Sequence, residues 1–161
     1  MKQSKKKVTY HLEAGAFDWE IADGKIVKAW RFNQQVPGPM LEANEGDTMI
    51  IHVHNTLPEP TTVHWHGLCL PATMDGTDLM QKPIAPGETF TYTFEVPQAG
   101  TFWYHSHSNE TVQMERGMYG SLIVHGNTDP VTDGERVFVI DDMKLDENNA
   151  FTTPKWFVPR V

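Results

Sequence analysis

Three pairs of histidines stand in His-x-His spacing: His52-Val53-His54, His64-Trp65-His66 and His105-Ser106-His107. Eight histidines in 161 residues would form only about 0.4 such pairs in random order. On a β-strand, residues i and i+2 project from the same face, about 6–7 Å apart. Two such strands side by side would direct four imidazoles into one small volume. Neutral imidazole suits copper, zinc, iron or nickel, whereas carboxylate-rich sites select magnesium or calcium. Four converging histidines therefore mean a transition metal.

The neighbours separate the pairs. Trp65 and Gly67 bracket the pair at 64/66, and Gly100-Thr101-Phe102-Trp103-Tyr104 leads into the pair at 105/107. Around His52 and His54 the pattern is a plain alternation with Ile51 and Val53, as expected of a half-buried strand with histidine on its wet face. His11, His52, His54 and His125 are accordingly expected to be surface or packing histidines, not ligands.

The elements that must position these residues show a period of two. KIVKAWRF, DTMIIHVHN, TTVHWHGL, ETFTYTFEV, GTFWYHSH and GSLIVHG alternate over five to eight residues and are closed by Gly, Pro, Asn or Asp, the signature of strands. Turn signals lie between them: VPGP around 37–39, NEGD at 44–47, LPEP at 57–60, APGE at 85–88 and PQAG at 97–100. Many short strands at this spacing predict an all-β chain, an antiparallel sandwich or barrel. NETVQMERGM predicts one or two helical turns ended by Gly117.

Length and charge bound what these elements can serve. The chain is long enough for one ordinary domain and too short for two. Lys+Arg 13 against Asp+Glu 21 gives a net charge of −8, which disfavours nucleic acid phosphates and anionic lipid as partners. Residues 1–7 read as a disordered basic tail, followed by VTYHLEAGAFDWE and not by the apolar run of a signal peptide. No apolar stretch approaches the ~20 residues of a helical membrane span. The single Cys69 has no internal disulfide partner and no adjacent basic group, so packing in the core or its wall is expected. After His125-Gly126 comes the polar linker NTDPVTDGE, and then RVFVIDDMKLDENNAF, which predicts a new strand over 136–142. Residues 8–127 are thus expected to form one domain. Residues 128–161 are expected to form a linker and the first strand of a truncated second domain.

HWHGL, PIAPGETFTYTFEVPQAGTFWYHSH and RGMYGSLIV together resemble the N-terminal cupredoxin domain of the multicopper oxidases. FNQQVPGPMLEANEGDTMIIHVHNTL resembles the upstream half of that domain, where family members commonly read close to FNGQVPGP and EGD. The similarity covers roughly residues 8–145, in an ordered set of motifs far more specific than one His-x-His pair. It implies a cupredoxin-like Greek-key β-sandwich or barrel that binds copper. By the same resemblance His64 ligates a type 2 copper, His66 a type 3 copper, and His105 and His107 one metal each of the type 3 pair. Asp75 in MDGTD matches the acidic residue implied to sit near the cluster and assist proton delivery to reduced oxygen. A simple turn carboxylate in an Asp-Gly turn is the equal alternative.

The family pattern is incomplete in this chain. Multicopper oxidases take electrons singly at a type 1 copper held by Cys and two His, and collect four at the trinuclear cluster to reduce oxygen to water. Members with type 1 copper in this domain have Cys where Ser106 stands, and a neutral hydroxyl cannot replace the thiolate. Cys69 lacks flanking histidines, and neither H-C-H nor H-x-x-H-x-H occurs in the sequence. The expected function is therefore that of an oxidase N-terminal domain supplying half of a trinuclear cluster, inactive alone. It would be completed by the remaining oxidase domains or by another copy of the chain, with self-association expected. Molecular oxygen and a small reducing substrate would serve the complete enzyme, and the family implies a periplasmic or secreted location. The alternative is a stand-alone, non-enzymatic copper-binding cupredoxin module. A copper nitrite reductase fits less well, because it demands Cys at 106 and a histidine between 107 and 125. A metal-free sandwich would leave two His-x-His pairs in motif context without a role.

Overall fold

The strands follow from side chains that alternate between core and solvent. In Thr48–Asn55, Met49, Ile51, Val53 and Asn55 are buried while His52 and His54 reach the surface. The computed structural model describes residues 5–130 and 132–152. Among these, eight strands form: β1 (Lys7–Ala22), β2 (Lys25–Phe32), β3 (Gly38–Asn44), β4 (Thr48–Asn55), β5 (His64–His66), β6 (Thr89–Glu95), β7 (Gly100–His105) and β8 (Tyr119–His125). One short helix, α1 (Glu110–Glu115), sits between β7 and β8. It ends at Gly117, whose φ of 115° favours glycine.

Two four-stranded sheets, ordered β2-β1-β4-β6 and β3-β8-β7-β5, face each other across one core. Leu12, Phe32, Leu41, Ile51, Trp65, Tyr92, Tyr104 and Leu122 are all nearly or fully inaccessible there. The chain is the all-β, cupredoxin-like sandwich that its sequence predicts. It is not purely antiparallel, because β1 runs parallel to β4 and β3 parallel to β8. From β2 to β7 successive strands alternate between the sheets, and such crossovers allow sheet neighbours to run in the same direction.

Two strands escape the sequence pattern. β1 pairs with β4 through Lys7–Ala14 and with β2 through Ala14–Ala22, so its buried face changes phase at Gly15. A Cβ on Gly15 would lie 2.8 Å from Thr56 Oγ1, a contact that keeps a side chain out of mid-strand. β3 is short, between two strong turn signals. The basic tail also ends earlier than expected: Asp47 Oδ1 accepts from Lys6 N at 2.8 Å, Thr48 N donates to Lys6 O at 2.8 Å, and β1 begins at Lys7. Residues 1–4 and 153–161 lie outside the described residues.

Two further expectations are corrected. Cys69 is exposed, because it follows the edge strand β5 on the way out of the sheet. Residues 136–142 form no strand, since no free partner strand lies alongside them among the described residues. The segment passes over β7 and β8, where Asp141 Oδ2 accepts from Tyr119 Oη at 2.5 Å, while Phe138 and Ile140 remain 80% and 95% exposed.

Trp65 fastens β5 to the core. It is fully buried and packs edge-on against Tyr92 at 5.2 Å and tilted against Phe94 and Tyr104 at 5.5 and 5.9 Å. Trp65→Ala should lower stability by about 3–5 kcal/mol in urea unfolding. His52→Ala or His54→Ala, on the outer face of the other sheet, should each change it by less than about 1 kcal/mol.

Candidate metal centre

β5 holds only three residues at a sheet edge, so its register to β7 decides where its histidines lie. That register sets His64 opposite His105, Trp65 opposite Tyr104 and His66 opposite Trp103. With Trp65 turned into the core, the pleat turns His64 and His66 outward on one face. His64 lies 5.5 Å from His66, 5.4 Å from His105 and 5.4 Å from His107 between ring centroids. One ligand nitrogen from each of His64, His66 and His105 falls within 4.8 Å of the others. His107 stands past the end of β7, 6.1 Å from His105 by ring centroid.

The four histidines singled out in the sequence thus gather at one place, and the other four lie elsewhere. His11 stacks on His52 at 4.8 Å, and the Nδ1 atoms of His52 and His54 meet Thr91 and Thr89 hydroxyls at 2.8 and 3.0 Å. His125 Nε2 lies 3.3 Å from Glu42 Oε1.

Hydrogen bonds define which nitrogens of the gathered rings are free. His64 Nδ1 donates to the Asp75 carbonyl at 2.7 Å, and His105 Nδ1 donates to the Ser106 carbonyl at 2.8 Å. A carbonyl only accepts, so in the neutral form of either ring Nδ1 carries the proton and Nε2 the lone pair. His66 Nδ1 lies 3.3 Å from His105 Nε2. Burial, the main influence, holds the His105 pKa below its ordinary value; the neighbouring His64 and His66 add to this, against the opposing Ser106 carbonyl and Glu110. His105 therefore stays neutral near pH 7, and its contribution to stability declines as pH falls below about 6.5.

Asp75 reaches this group in two ways. Its carbonyl orients His64, and its carboxylate Oδ2 lies 3.5 Å from the same Nδ1. It also ends a 3₁₀ turn at Ala72–Met74, so the turn position and the nearness to the cluster are both realised. Gly76 lets the loop approach: its φ is 81°, and a Cβ there would fall 1.8 Å from the Val63 carbonyl oxygen. Val63 N in turn donates to Tyr92 Oη at 2.9 Å, and burial pushes the Tyr92 hydroxyl up to about 12, so it remains protonated.

Three neighbours were not singled out in the sequence. Glu110 brings carboxylate oxygens to 3.6 Å from His105 Nδ1 and 3.9 Å from His107 Nε2. Its position three residues beyond His107, at the start of the expected helical turns, was the available signal. Trp103 stacks on His105 at 4.2 Å and lies tilted against His66 at 4.9 Å. Gln113 is fully buried in α1 and hydrogen-bonds beneath the second pair. Nothing in its local sequence separates it from an ordinary helix-surface glutamine.

The chain has relatives among known proteins. The family model described as multicopper oxidase matches residues 13–129. Laccase-1 of Cryptococcus neoformans var. grubii is 40% identical over 148 residues, covering 84% of this chain and 23% of that protein. Copper resistance protein A of Escherichia coli is 41% identical over 150 residues, covering 88% of this chain and 24% of its own length. A crystal structure of a multi-copper oxidase from Pseudomonas thermotolerans superposes with a TM-score of 0.79 at 34% identity, over 97% of this chain and 38% of that one. The chain spans about a quarter of the length of these two curated relatives.

The contact between Gly76 and Val63 can be tested separately from any metal. Gly76→Ala should lower stability by at least about 2 kcal/mol in urea unfolding, since it combines a left-handed backbone with a clash against main chain. Gly87→Ala, at a φ of 82° but with nothing within 4 Å, should cost about 1 kcal/mol, and equal losses would remove the packing argument.

Proposed function

The chain belongs to the multicopper oxidase family, and on that footing we propose that His64, His66, His105 and His107 are half of a trinuclear copper site completed by protein outside this chain. The observation that carries the proposal is the convergence of ligand nitrogens from His64, His66 and His105 to within 4.8 Å, with the His107 ring 5.4 Å from His64. The family implies copper, and the donor set fits it: imidazoles, two of which turn Nδ1 to a main-chain carbonyl and so present Nε2 as the ligand atom. Glu110 and Asp75 add negative charge beside the rings, which favours a cation over water.

We assign the type 2 ligand to His64 and the type 3 ligands to His66, His105 and His107, as the family pattern implies. His107, 6.1 Å from His105 by ring centroid and outside the three-histidine group, supports more than one ion at the site. Bound copper would supply one-electron redox chemistry and, in the complete enzyme, would pass to oxygen the four electrons taken one at a time from the reducing substrate. The protein's own part is to orient the rings. The Asp75 and Ser106 carbonyls hold two of them, and Trp65 keeps the floor of the site in the core. Asp75 is proposed to hold water and pass protons at its carboxylate, which lies within reach of His64 without being needed to orient it.

We infer that this chain alone does not oxidise substrate. The side chains that meet the Ser106 hydroxyl are Thr61 and Gln113, a hydroxyl and a carboxamide that offer no soft ligand for a type 1 copper. Completion would come from the remaining oxidase domains or another copy of the chain. Molecular oxygen and a small reducing substrate, such as a phenol, an aromatic amine or a low-valent metal ion, would enter the assembled enzyme in a periplasmic or secreted setting. Among the described residues no helix is long and apolar enough to cross a membrane. Exposed Leu79 and Met80, on the loop after Asp75, and exposed Phe138 and Ile140 support a covering partner. A stand-alone copper-binding module is the second reading, favoured by the three-histidine group already formed within one chain.

Copper titration against a competing chelator tests the site. The chain should bind copper(II) with a nitrogen-rich paramagnetic spectrum and no intense blue band. The double change His64→Ala, His66→Ala should weaken binding by at least about 100-fold, while His52→Ala, His54→Ala and Asp75→Asn should each stay within about 3-fold. Equal binding by the double variant would refute the ligand assignment, and a blue protein that oxidises a phenolic dye would refute the inferred inactivity. Sedimentation should show association at tens of micromolar, reduced when residues 135–161 are removed. Monomers in both cases, with and without copper, would favour the stand-alone module.

A further inference from the structure

The ladder between β5 and β7 accounts for only part of the histidine group. It ends at the His64–His105 pair, and His107 lies beyond it, with no strand partner of its own. Even so, His107 is only partly exposed and its ring keeps the same 5.4 Å spacing to His64 that His105 has. One main-chain bond, Ser106 N to the Met118 carbonyl at 3.0 Å, continues the β7–β8 pairing, and Ser108 Oγ donates to Asp78 Oδ1 at 2.7 Å; neither ties the 106–108 segment to the residues that lead into β5.

Gln113 has the bonds to do so. Its Nε2 donates to Glu59 Oε1 at 2.8 Å and to the Pro60 carbonyl at 2.9 Å. Both partners are acceptors only, which fixes the direction of the amide. Its Oε1 must then face the two hydroxyls on the other side, and it accepts from Ser106 Oγ at 2.5 Å and from Thr61 Oγ1 at 2.8 Å. All four hydrogen-bonding positions of the carboxamide are filled, at a residue with no exposed surface. Thr61 lies three residues before His64, and Ser106 lies between His105 and His107. One side chain therefore joins the two segments that deliver the ligand pairs, on the side of the backbone away from the imidazoles.

Resting on the copper-site reading above, we propose that Gln113 is a positioning residue for His107, acting through the Ser106 hydroxyl and holding the 106–108 segment in register with Thr61 and β5. A buried, fully bonded carboxamide has one low-energy arrangement, and breaking it leaves the Ser106 and Thr61 hydroxyls only longer bonds, to the Ser108 carbonyl at 3.2 Å and the Thr62 carbonyl at 3.3 Å. The serine between the two histidines is then itself part of the lock: its short hydroxyl donates to an oxygen that a thiol, bulkier and a weak donor, would serve poorly.

The test is a cycle of copper(II) affinities on the full chain, read by chelator competition and by the nitrogen hyperfine pattern. Gln113→Ala should weaken binding about 10-fold and remove one nitrogen from the spectrum, as an outer-shell partner of a ligand does. In a His107→Ala background the same change should cost less than about 2-fold, because the residue it positions is already gone. Ser106→Ala, which leaves Gln113 in its pocket and is less disruptive to folding, should reproduce most of the loss and the same non-additivity. An equal loss in both backgrounds, or no loss in either, overturns the positioning role. If His64→Ala, His66→Ala leaves affinity unchanged, the copper-site reading itself fails, which the Gln113 variants alone cannot produce.

Discussion

A buried tryptophan between two histidines sets the chemistry of this chain. Trp65 has no exposed surface and lies within ring contact of Tyr92, Phe94 and Tyr104. The strand pleat then leaves His64 and His66 only the opposite face. A one-residue slip of β5 against β7 would drive imidazoles into the core and put indole on the surface, at a cost in apolar burial and unmet polar groups too large for a three-residue strand to bear. The hydrophobic effect therefore enforces the spacing of the site, although none of the ligand atoms is apolar.

Two kinds of restraint then refine what the core sets coarsely. Main-chain carbonyls of Asp75 and Ser106 each accept from one Nδ1 and so choose the tautomer of His64 and His105. Carboxylates of Asp75 and Glu110 stand just beyond, at 3.5 and 3.6 Å from those same atoms. The arrangement favours a positive ion at Nε2 without committing a charged ligand to it. In the metal-free state, burial keeps His105 neutral, so its lone pair is available without first losing a proton. Desolvation, which penalises a protonated ring, thus leaves an imidazole lone pair at the proposed site.

The sequence and the structure agree most closely where physics is local. β2 matches KIVKAWRF residue for residue, and β4, β6 and β7 lie within their alternating segments, because period-two burial is written directly into neighbouring residues; β8 starts one residue before GSLIVHG and is buried on both faces. α1 and its end at Gly117 were equally local. β1 was not legible, since Ala14-Gly15-Ala16 interrupts the pattern where the strand changes partners. The parallel pairings were not legible either, because they depend on how the chain crosses between sheets. At the site, the four histidines and Asp75 could be singled out from motif spacing. Gln113 could not, because its partners Glu59, Pro60, Thr61 and Ser106 lie up to 54 residues away in sequence and only the fold brings them together. Residues 136–142 failed as a strand for a related reason. Alternating apolar residues can form a ladder only where another strand edge is present, and among the described residues none is free beside them.

The two faces of the segment around residue 106 bear on why the proposed site is of one kind only. One face presents His105 and His107 toward β5. The other presents Ser106 to Gln113 and Thr61, a pocket of hydroxyls and amide already saturated with hydrogen bonds. A thiolate at 106 would face that pocket, where the nearest side chains offer oxygen atoms and no imidazole, so a single substitution could not convert it into a site for a second copper type. Creating such a site would require replacing the buried polar network together with the serine, and that network also ties β5 to the end of β7. Position 106 is thus occupied by a hydroxyl bonded to Thr61 and Gln113, and under the proposed positioning role the same serine that forgoes redox chemistry helps to hold the histidines beside it.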